Sequence, residues 1–202
     1  ATVDLTFSTE DGEILDYDLI IPEGTQARTT GETSLIFETT DDLIIPSGAA
    51  SGTVSASHQV TRTETETSDG SSDYRSALHY SPYIEDTMAV TVDGVDWVEV
   101  DNFLDSDGNS EHFRLEVDSD GLATVIFGDN NNGKIPSAGS AIEYTYKVGG
   151  GSDGNVSPGT ITILDDTFTD TGGNPVSLVV TNSSASQGGV DREDIETSKI
   201  RI

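Results

Sequence analysis

The acidic segment 105–111 contains the side chains most able to do chemistry in this sequence. Its alternate positions carry oxygen-bearing side chains, namely Asp105, Asp107, Asn109 and Glu111. This pattern suits a hard cation such as Ca²⁺, but an EF-hand loop needs glycine at its sixth position and a bidentate glutamate at its twelfth. Here the glycine is fourth, and the twelfth residue, Glu116, falls within a predicted strand. The mismatch favours a solvated acidic turn over a metal site, and the four residues remain the candidate ligands.

Patterns typical of catalysis are missing from the sequence. Adjacent carboxylates such as Asp41-Asp42 and Asp165-Asp166 are expected by chance among 37 acidic residues. No pattern isolates the converging carboxylate pair that glycoside hydrolysis needs. A G-x-S-x-G elbow, a phosphate-binding loop and a dinucleotide fingerprint are also absent. We therefore predict that the protein is not an enzyme, with no catalytic residues, no cofactor and no small-molecule substrate.

Cysteine and histidine chemistry is equally unsupported. The sequence has no cysteine, so disulfides and thiolate chemistry are excluded. Its three histidines, His58, His79 and His112, are far apart and lack the spacing of zinc ligands. We interpret them as strand or surface residues.

Two tyrosines and one tryptophan are the aromatic residues that could bind a ligand. Tyr144 and Tyr146 share one face of a predicted strand with Ile142 and Val148. A stacking platform for a ligand is one interpretation, but aromatic residues on a strand favour a core role. Trp97 is predicted to anchor a hairpin.

The net charge of -28 restricts the partners of this protein. Only three lysines occur among nine basic residues, against 37 acidic ones. Such a surface repels phosphate backbones, so we expect no direct binding to nucleic acid. Because salt screens the self-repulsion, this composition also predicts a halophilic source. No apolar run approaches the ~18 residues of a membrane helix, and no membrane span is predicted.

Elements with strand periodicity surround these residues. Hydrophobic residues make up only 33% of the chain, and alternating apolar segments are separated by turns. Residues 88–92 and 97–100 around Asp93-Gly94 predict a hairpin, and 160–164 and 177–181 predict two later strands. The stretch 61–73 is polar; its first part fits either an exposed strand or a loop, and 68–73 predicts a loop. The fold class is mainly β, with two small antiparallel β modules.

Glycine-rich turns occur in a specific order. A turn with the sequence Phe-Gly-Asp-Asn begins at Phe127, and a later Gly-Lys-Ile-Pro step, a tyrosine strand, a glycine crossing and a Gly-Gly-Val-Asp passage follow. The motif residues are Gly128, Asp129, Gly133, Pro136, Gly149, Gly150, Gly154, Asn155, Gly188, Gly189 and Asp191. In this order and spacing they resemble the baseplate J-like family. Asn130 replaces the usual glycine of that family, and asparagine also accepts left-handed turn geometry.

The resemblance implies a domain organisation. A discontinuous barrel-like domain is expected at 1–67 and 150–186, with an inserted β domain at 68–149. The segment 187–202 would begin a C-terminal helical region, truncated here, with Asp191 as its N-cap. Ile195 and Ile202 are seven residues apart on one face of that helix, and they are the candidate oligomer contacts. The chain is thus expected to be the middle of a longer protein.

The same resemblance implies a structural function. Family members are wedge proteins of the baseplate of contractile phage tails and related injection systems. We expect this protein to assemble in the host cytoplasm with copies of itself and with other wedge or hub proteins. The expected product is a ring in the virion tail baseplate of a bacteriophage or archaeal virus. Contraction would move its β modules about hinges at 61–73 and 148–155. The alternative is a secreted acidic β-sandwich adhesin or a calcium-dependent cell-surface module.

Overall fold

The protein is mainly β, as the sequence predicts. The computed structural model describes residues 1–31 and 33–191. Within them it has sixteen strands: β1 Thr2–Thr9, β2 Leu19–Ile21, β3 Gln26–Thr29, β4 Ile36–Thr39, β5 Leu43–Ile45, β6 Ser51–Thr67, β7 Arg75–Ala77, β8 Ala89–Val92, β9 Val95–Glu99, β10 His112–Val117, β11 Ala123–Phe127, β12 Ala141–Gly149, β13 Ile161–Leu164, β14 Phe168–Thr169, β15 Pro175–Val176 and β16 Leu178–Asn182. A single-turn 3₁₀ helix spans Ser152–Gly154. No helix of the described residues has the length and hydropathy to cross a bilayer.

The chain forms two compact units. Unit 1 consists of Ala1–Val60 and the residues from Gly150 onward, and unit 2 is Thr61–Gly149. The boundaries predicted from the sequence, 1–67 with 150–186 for one domain and 68–149 for the other, remain predictions. The predicted C-terminal helix, with Ile195 and Ile202, falls after residue 191 and so lies outside the described residues.

Unit 1 contains an antiparallel sheet in the order β13-β3-β4-β6-β1-β16. Its inward residues alternate, as in β1, where Val3, Leu5 and Phe7 are buried. The expected barrel does not close, because no strand ladder joins β13 to β16 in the part of the chain that the structure describes.

Two short strand pairs, β2–β5 and β14–β15, complete unit 1. The β2–β5 pair places Leu19, Ile21 and Ile45, all fully buried, on the core. The β14–β15 hairpin lies between β13 and β16, the two later strands that the sequence predicts. The core of unit 1 comprises Val3, Leu5, Phe7, Leu15, Leu19, Ile21, Ala27, Phe37, Ile45, Val54, Ala56, Ile161, Phe168 and Val180.

Unit 2 contains a mixed sheet in which the last part of β6 is followed by β12-β8-β9-β10-β11-β7. Strands β9 and β10 run parallel, whereas β8 is antiparallel to both β9 and β12. The predicted hairpin is confirmed as β8–β9, with positive φ at Asp93 (50°) and Gly94 (78°), as a tight turn requires. The predicted hinge segment 61–73 is strand as far as Thr67, so the strand alternative is confirmed there.

Candidate functional site

Buried tyrosine–glutamate pairs join β12 to β6 within unit 2. Tyr144 and Tyr146 are almost completely buried, which confirms their predicted core role. The Tyr144 hydroxyl donates a hydrogen bond to the Glu66 carboxylate, and the Tyr146 hydroxyl donates one to Glu64. The sequence offered a signal that we did not use, because two tyrosines and two glutamates recur at the same period of two on neighbouring strands. These hydroxyls are therefore committed to internal bonds.

Glu64 is the centre of a small polar network. Its carboxylate also accepts hydrogen bonds from His79, through ring Nδ1 and through the backbone N–H at 3.1 Å. Burial opposes ionisation of Glu64, but the hydrogen bonds from Tyr146 and His79 outweigh burial and lower its pKa. Burial and the Glu64 carboxylate in turn raise the pKa of Tyr146. Both shifts favour the ionised glutamate and the protonated tyrosine, the pair that forms the hydrogen bond between β6 and β12.

The Phe-Gly-Asp-Asn turn of unit 2 folds on its own side chains. The Asp129 carboxylate accepts the backbone N–H groups of Asn131 and Asn132, and these bonds lower its pKa. Asn130 has a φ of 66°, which confirms that it adopts left-handed geometry. Gly128 packs so closely on the Gly133 carbonyl that a Cβ atom would overlap it. The turn therefore requires glycine at position 128 for steric reasons.

The acidic segment 105–111 packs directly against that turn. The Gly133 N–H donates to the Asp107 carbonyl at 3.0 Å, and the Lys134 N–H donates to the Ser110 carbonyl at 2.9 Å. A Cβ on Gly108 would overlap the Asn130 carbonyl. The sequence did not predict this contact, because the two turns are separated by about twenty residues and neither pattern identifies its partner.

Two of the candidate calcium ligands, Asp107 and Glu111, accept hydrogen bonds from neighbouring residues. The Asp107 carboxylate accepts the Asn109 N–H at 2.8 Å and the Ser110 hydroxyl at 3.0 Å, and its pKa is lowered by them. Glu111 accepts a hydrogen bond from Lys134 Nζ at 2.7 Å. Asp105 is exposed. Among the described residues, no three histidine, aspartate or glutamate side chains are grouped so that they could hold a metal ion.

A serine and a histidine meet at one end of the same acidic segment. Ser106 Oγ lies 2.8 Å from His112 Nδ1, and Ser106 is buried. Nucleophilic catalysis needs an accessible hydroxyl and a base that a third group orients. A buried hydroxyl instead fits a hydrogen bond that holds the segment against β10.

Two of the predicted glycine motifs come together in unit 1. Ser152 donates its backbone N–H to the Asp191 carboxylate at 2.6 Å and its hydroxyl at 2.7 Å, which lowers the Asp191 pKa. The Asn155 side chain donates to the Gly189 carbonyl at 2.8 Å and accepts the Gly189 N–H at 2.9 Å. The crossing at 150–155 is thus bound to the passage at 188–191, a pairing that the sequence did not predict.

His58 packs closely against the crossing at 150–155, next to Gly154. The His58 carbonyl accepts the Gly150 N–H at 3.0 Å, and its ring lies 5.5 Å from the Phe37 ring. A Cβ on Gly154 would lie 2.6 Å from His58 Nδ1. Burial lowers the His58 pKa, so the ring is neutral at pH 7. His58 is a packing residue in a strand, as predicted.

Trp97 and the motif residues Pro136 and Gly149 also make structural contacts. Trp97 is buried and meets Phe127 edge to face at 5.2 Å. The Pro136 carbonyl accepts the Ser68 hydroxyl at 2.8 Å. Gly149 donates its N–H to the Pro82 carbonyl at 3.0 Å. Gly188 has a φ of 84° in open space.

One segment of the chain matches a known protein family. Residues 4–66 match the family model described as the Baseplate J-like protein barrel domain. The matched segment begins within β1 and ends within β6. A search of curated proteins gives no match. The resemblance inferred from the sequence is thus confirmed over residues 4–66, and it supports a structural role in a phage baseplate.

Proposed function

We propose that this protein is a structural subunit of the baseplate wedge of a phage-type contractile tail. It assembles with copies of itself and with other wedge or hub proteins into a ring around the central hub, and it rearranges when the tail contracts. The observation that carries this proposal is the match of residues 4–66 to the baseplate J-like barrel domain. The site of action is the virion tail baseplate, after assembly in the host cytoplasm.

The geometry of the motif residues supports a scaffold role. Asp129 directs its carboxylate to the backbone of its own turn, and Asp191 and Asn155 direct their polar atoms to neighbouring turns. Tyr144 and Tyr146 direct theirs to glutamates on the next strand. Groups held in this way fix a backbone shape, and a subunit that fits into a ring needs a fixed shape.

We further propose that unit 2 is a domain inserted into a discontinuous domain formed by unit 1. Its test is a chain limited to residues 61–149. A cooperative thermal transition of that chain is the expected result. A chain without a transition would contradict the inserted domain and leave the baseplate proposal standing.

Purified tail particles test the proposed function. Lysates of the source organism are separated on a density gradient, and peptides of this chain are followed by mass spectrometry beside those of the tail sheath and tube. We expect this chain to co-migrate with both. Its recovery in the cell envelope or the culture medium, with tails free of it, would contradict the proposal and favour the adhesin.

A further inference from the structure

The outer face of the β2–β5 pair presents two apolar side chains to solvent. Ile20 and Ile44 are opposite each other in the strand register, and they are 47% and 58% exposed. Their neighbours Leu19, Ile21 and Ile45 point the other way and are fully buried. Single exposed apolar residues are ordinary on protein surfaces. Because Ile20 and Ile44 are directly opposed on neighbouring strands, they form one exposed apolar surface together.

A shallow, open cavity lies beside Ile20 within unit 1. It has a volume of about 430 Å³, and Ile20, Pro22 and Phe168 supply apolar groups to its wall. Glu23 and Asp166 are also part of its lining. A cavity of this size accepts one large aliphatic or aromatic side chain, and carboxylates at its edge would face the residues on either side of that side chain.

The two chain segments that carry the pair are acidic. The segments 10–24 and 41–48 contain no lysine or arginine. They contain eight exposed carboxylates: Glu10, Asp11, Glu13, Asp16, Asp18, Glu23, Asp41 and Asp42. A second copy of a chain with net charge -28 would be repelled from this face. A basic partner would be attracted to it.

We propose that the outer face of β2–β5, with the adjoining cavity, docks a segment of a partner protein that carries one large apolar side chain flanked by lysines or arginines. The apolar side chain enters the cavity beside Ile20 and covers Ile44, and the flanking cations pair with the surrounding carboxylates. The proposal rests on the chemistry of this face and stands whether or not the protein belongs to a baseplate.

Two synthetic peptides and the full chain test the docking surface. One peptide alternates lysine with leucine, and the other has serine in place of each leucine, so the two have the same charge. Binding is measured by fluorescence anisotropy at low salt. The intact protein should bind the leucine peptide about tenfold more tightly, because burying a leucine side chain is favourable and burying serine is not.

Variants locate the binding. The double variant Ile20→Ser/Ile44→Ser should bind both peptides equally. Leu104→Ser, which changes an 86% exposed residue of unit 2, should keep the tenfold preference. The exposed positions leave the core intact, and an unchanged melting temperature verifies folding. A preference that persists in the double variant, or equal binding of both peptides by the intact protein, would overturn the proposal. Sedimentation that shows a dimer lost in the double variant would also overturn it, in favour of a second copy.

Discussion

The side chain of Asn182 accepts the backbone N–H of Ile161 at 3.0 Å and so joins the two edge strands of the unit 1 sheet. Asn182 ends β16 and is completely buried, and Ile161 begins β13. The Asn182 amide also donates to the carbonyls of Ser157 and Ser184, at 3.0 and 2.8 Å. One buried amide therefore connects edges that no strand ladder joins in the described residues.

Replacing this amide should destabilise unit 1. Asn182→Ala leaves the buried Ile161 N–H without its partner and removes the bonds to the carbonyls of Ser157 and Ser184, which are exposed residues. We expect a loss of about 1–3 kcal/mol in the free energy of unfolding, since an unsatisfied buried group costs about that much. Urea unfolding followed by circular dichroism measures the loss, and hydrogen exchange of β13 localises it. Asn155→Ala is the control, because that side chain makes two hydrogen bonds but its residue is exposed. An equal, small effect of both variants would contradict the role of the Asn182 amide in joining β13 to β16.

The contact between Gly154 and His58 predicts a relief of strain in a double variant. Gly154→Ala places a methyl group against the His58 ring and should cost about 1–3 kcal/mol, as overpacking of a core does. His58→Ala in the same chain should remove most of that added cost. The double-mutant cycle is measured by urea unfolding. Gly188→Ala is the control, because its neighbourhood is open and His58→Ala should not change its cost. Additive effects of Gly154→Ala and His58→Ala would refute the contact.

The Glu64 network predicts a pH dependence of unit 2. Hydrogen bonds lower the Glu64 pKa below its ordinary value of 4.5 despite burial. The stabilisation is therefore fully present above that ordinary value and is lost as the pH falls through the lower, folded-state pKa. Glu64→Gln should remove the contribution of Glu64 to acid destabilisation. The free energy of unfolding should then differ less between neutral and acid pH than it does in the intact protein.

Trp97 fluorescence reports the unfolding of unit 2, since this tryptophan is buried there. Glu143→Gln, on the exposed face of β12, should keep the pH profile of the intact protein. If Glu64→Gln also keeps that profile, Glu64 does not contribute to the acid response.

The sequence predicted the local features of this fold better than its long-range contacts. Period-two patterns and turn residues identified the β8–β9 hairpin and the core role of Tyr144, because these signals are local. The alternation at 61–67 showed that two faces exist but not that Glu64 and Glu66 point inward. Threonine favours strands more than glutamate does, so strand propensity does not explain why the glutamates point inward. Their inward position depends on hydrogen bonds from tyrosines about eighty residues away in the sequence.

The same limit explains what was missed at the glycine motifs. Gly128, Gly133 and Asp191 were recognised as motif residues from their order in the sequence. The partners of Gly133 and Asp191, the acidic segment 105–111 and Ser152, are fixed by tertiary packing that no local pattern encodes.

The net charge predicts that salt stabilises the protein. Self-repulsion among 37 acidic residues opposes the compact state, and salt screens it within a Debye length of about 3 Å at 1 M. We expect the melting temperature to rise from dilute buffer to molar sodium chloride. The triple variant Glu23→Gln/Asp41→Asn/Asp42→Asn, which removes three exposed carboxylates, should show a smaller rise. A flat or falling curve for the intact protein would contradict the halophilic prediction.

The central claim is the location of this chain in a tail baseplate, and immunogold electron microscopy tests it most directly. Gold-labelled antibody against the chain is applied to particles and cells from the source organism, with pre-immune antibody as the control. The baseplate proposal predicts label at the distal end of tail-shaped particles. Label spread over the cell envelope, with the tails bare, would contradict it.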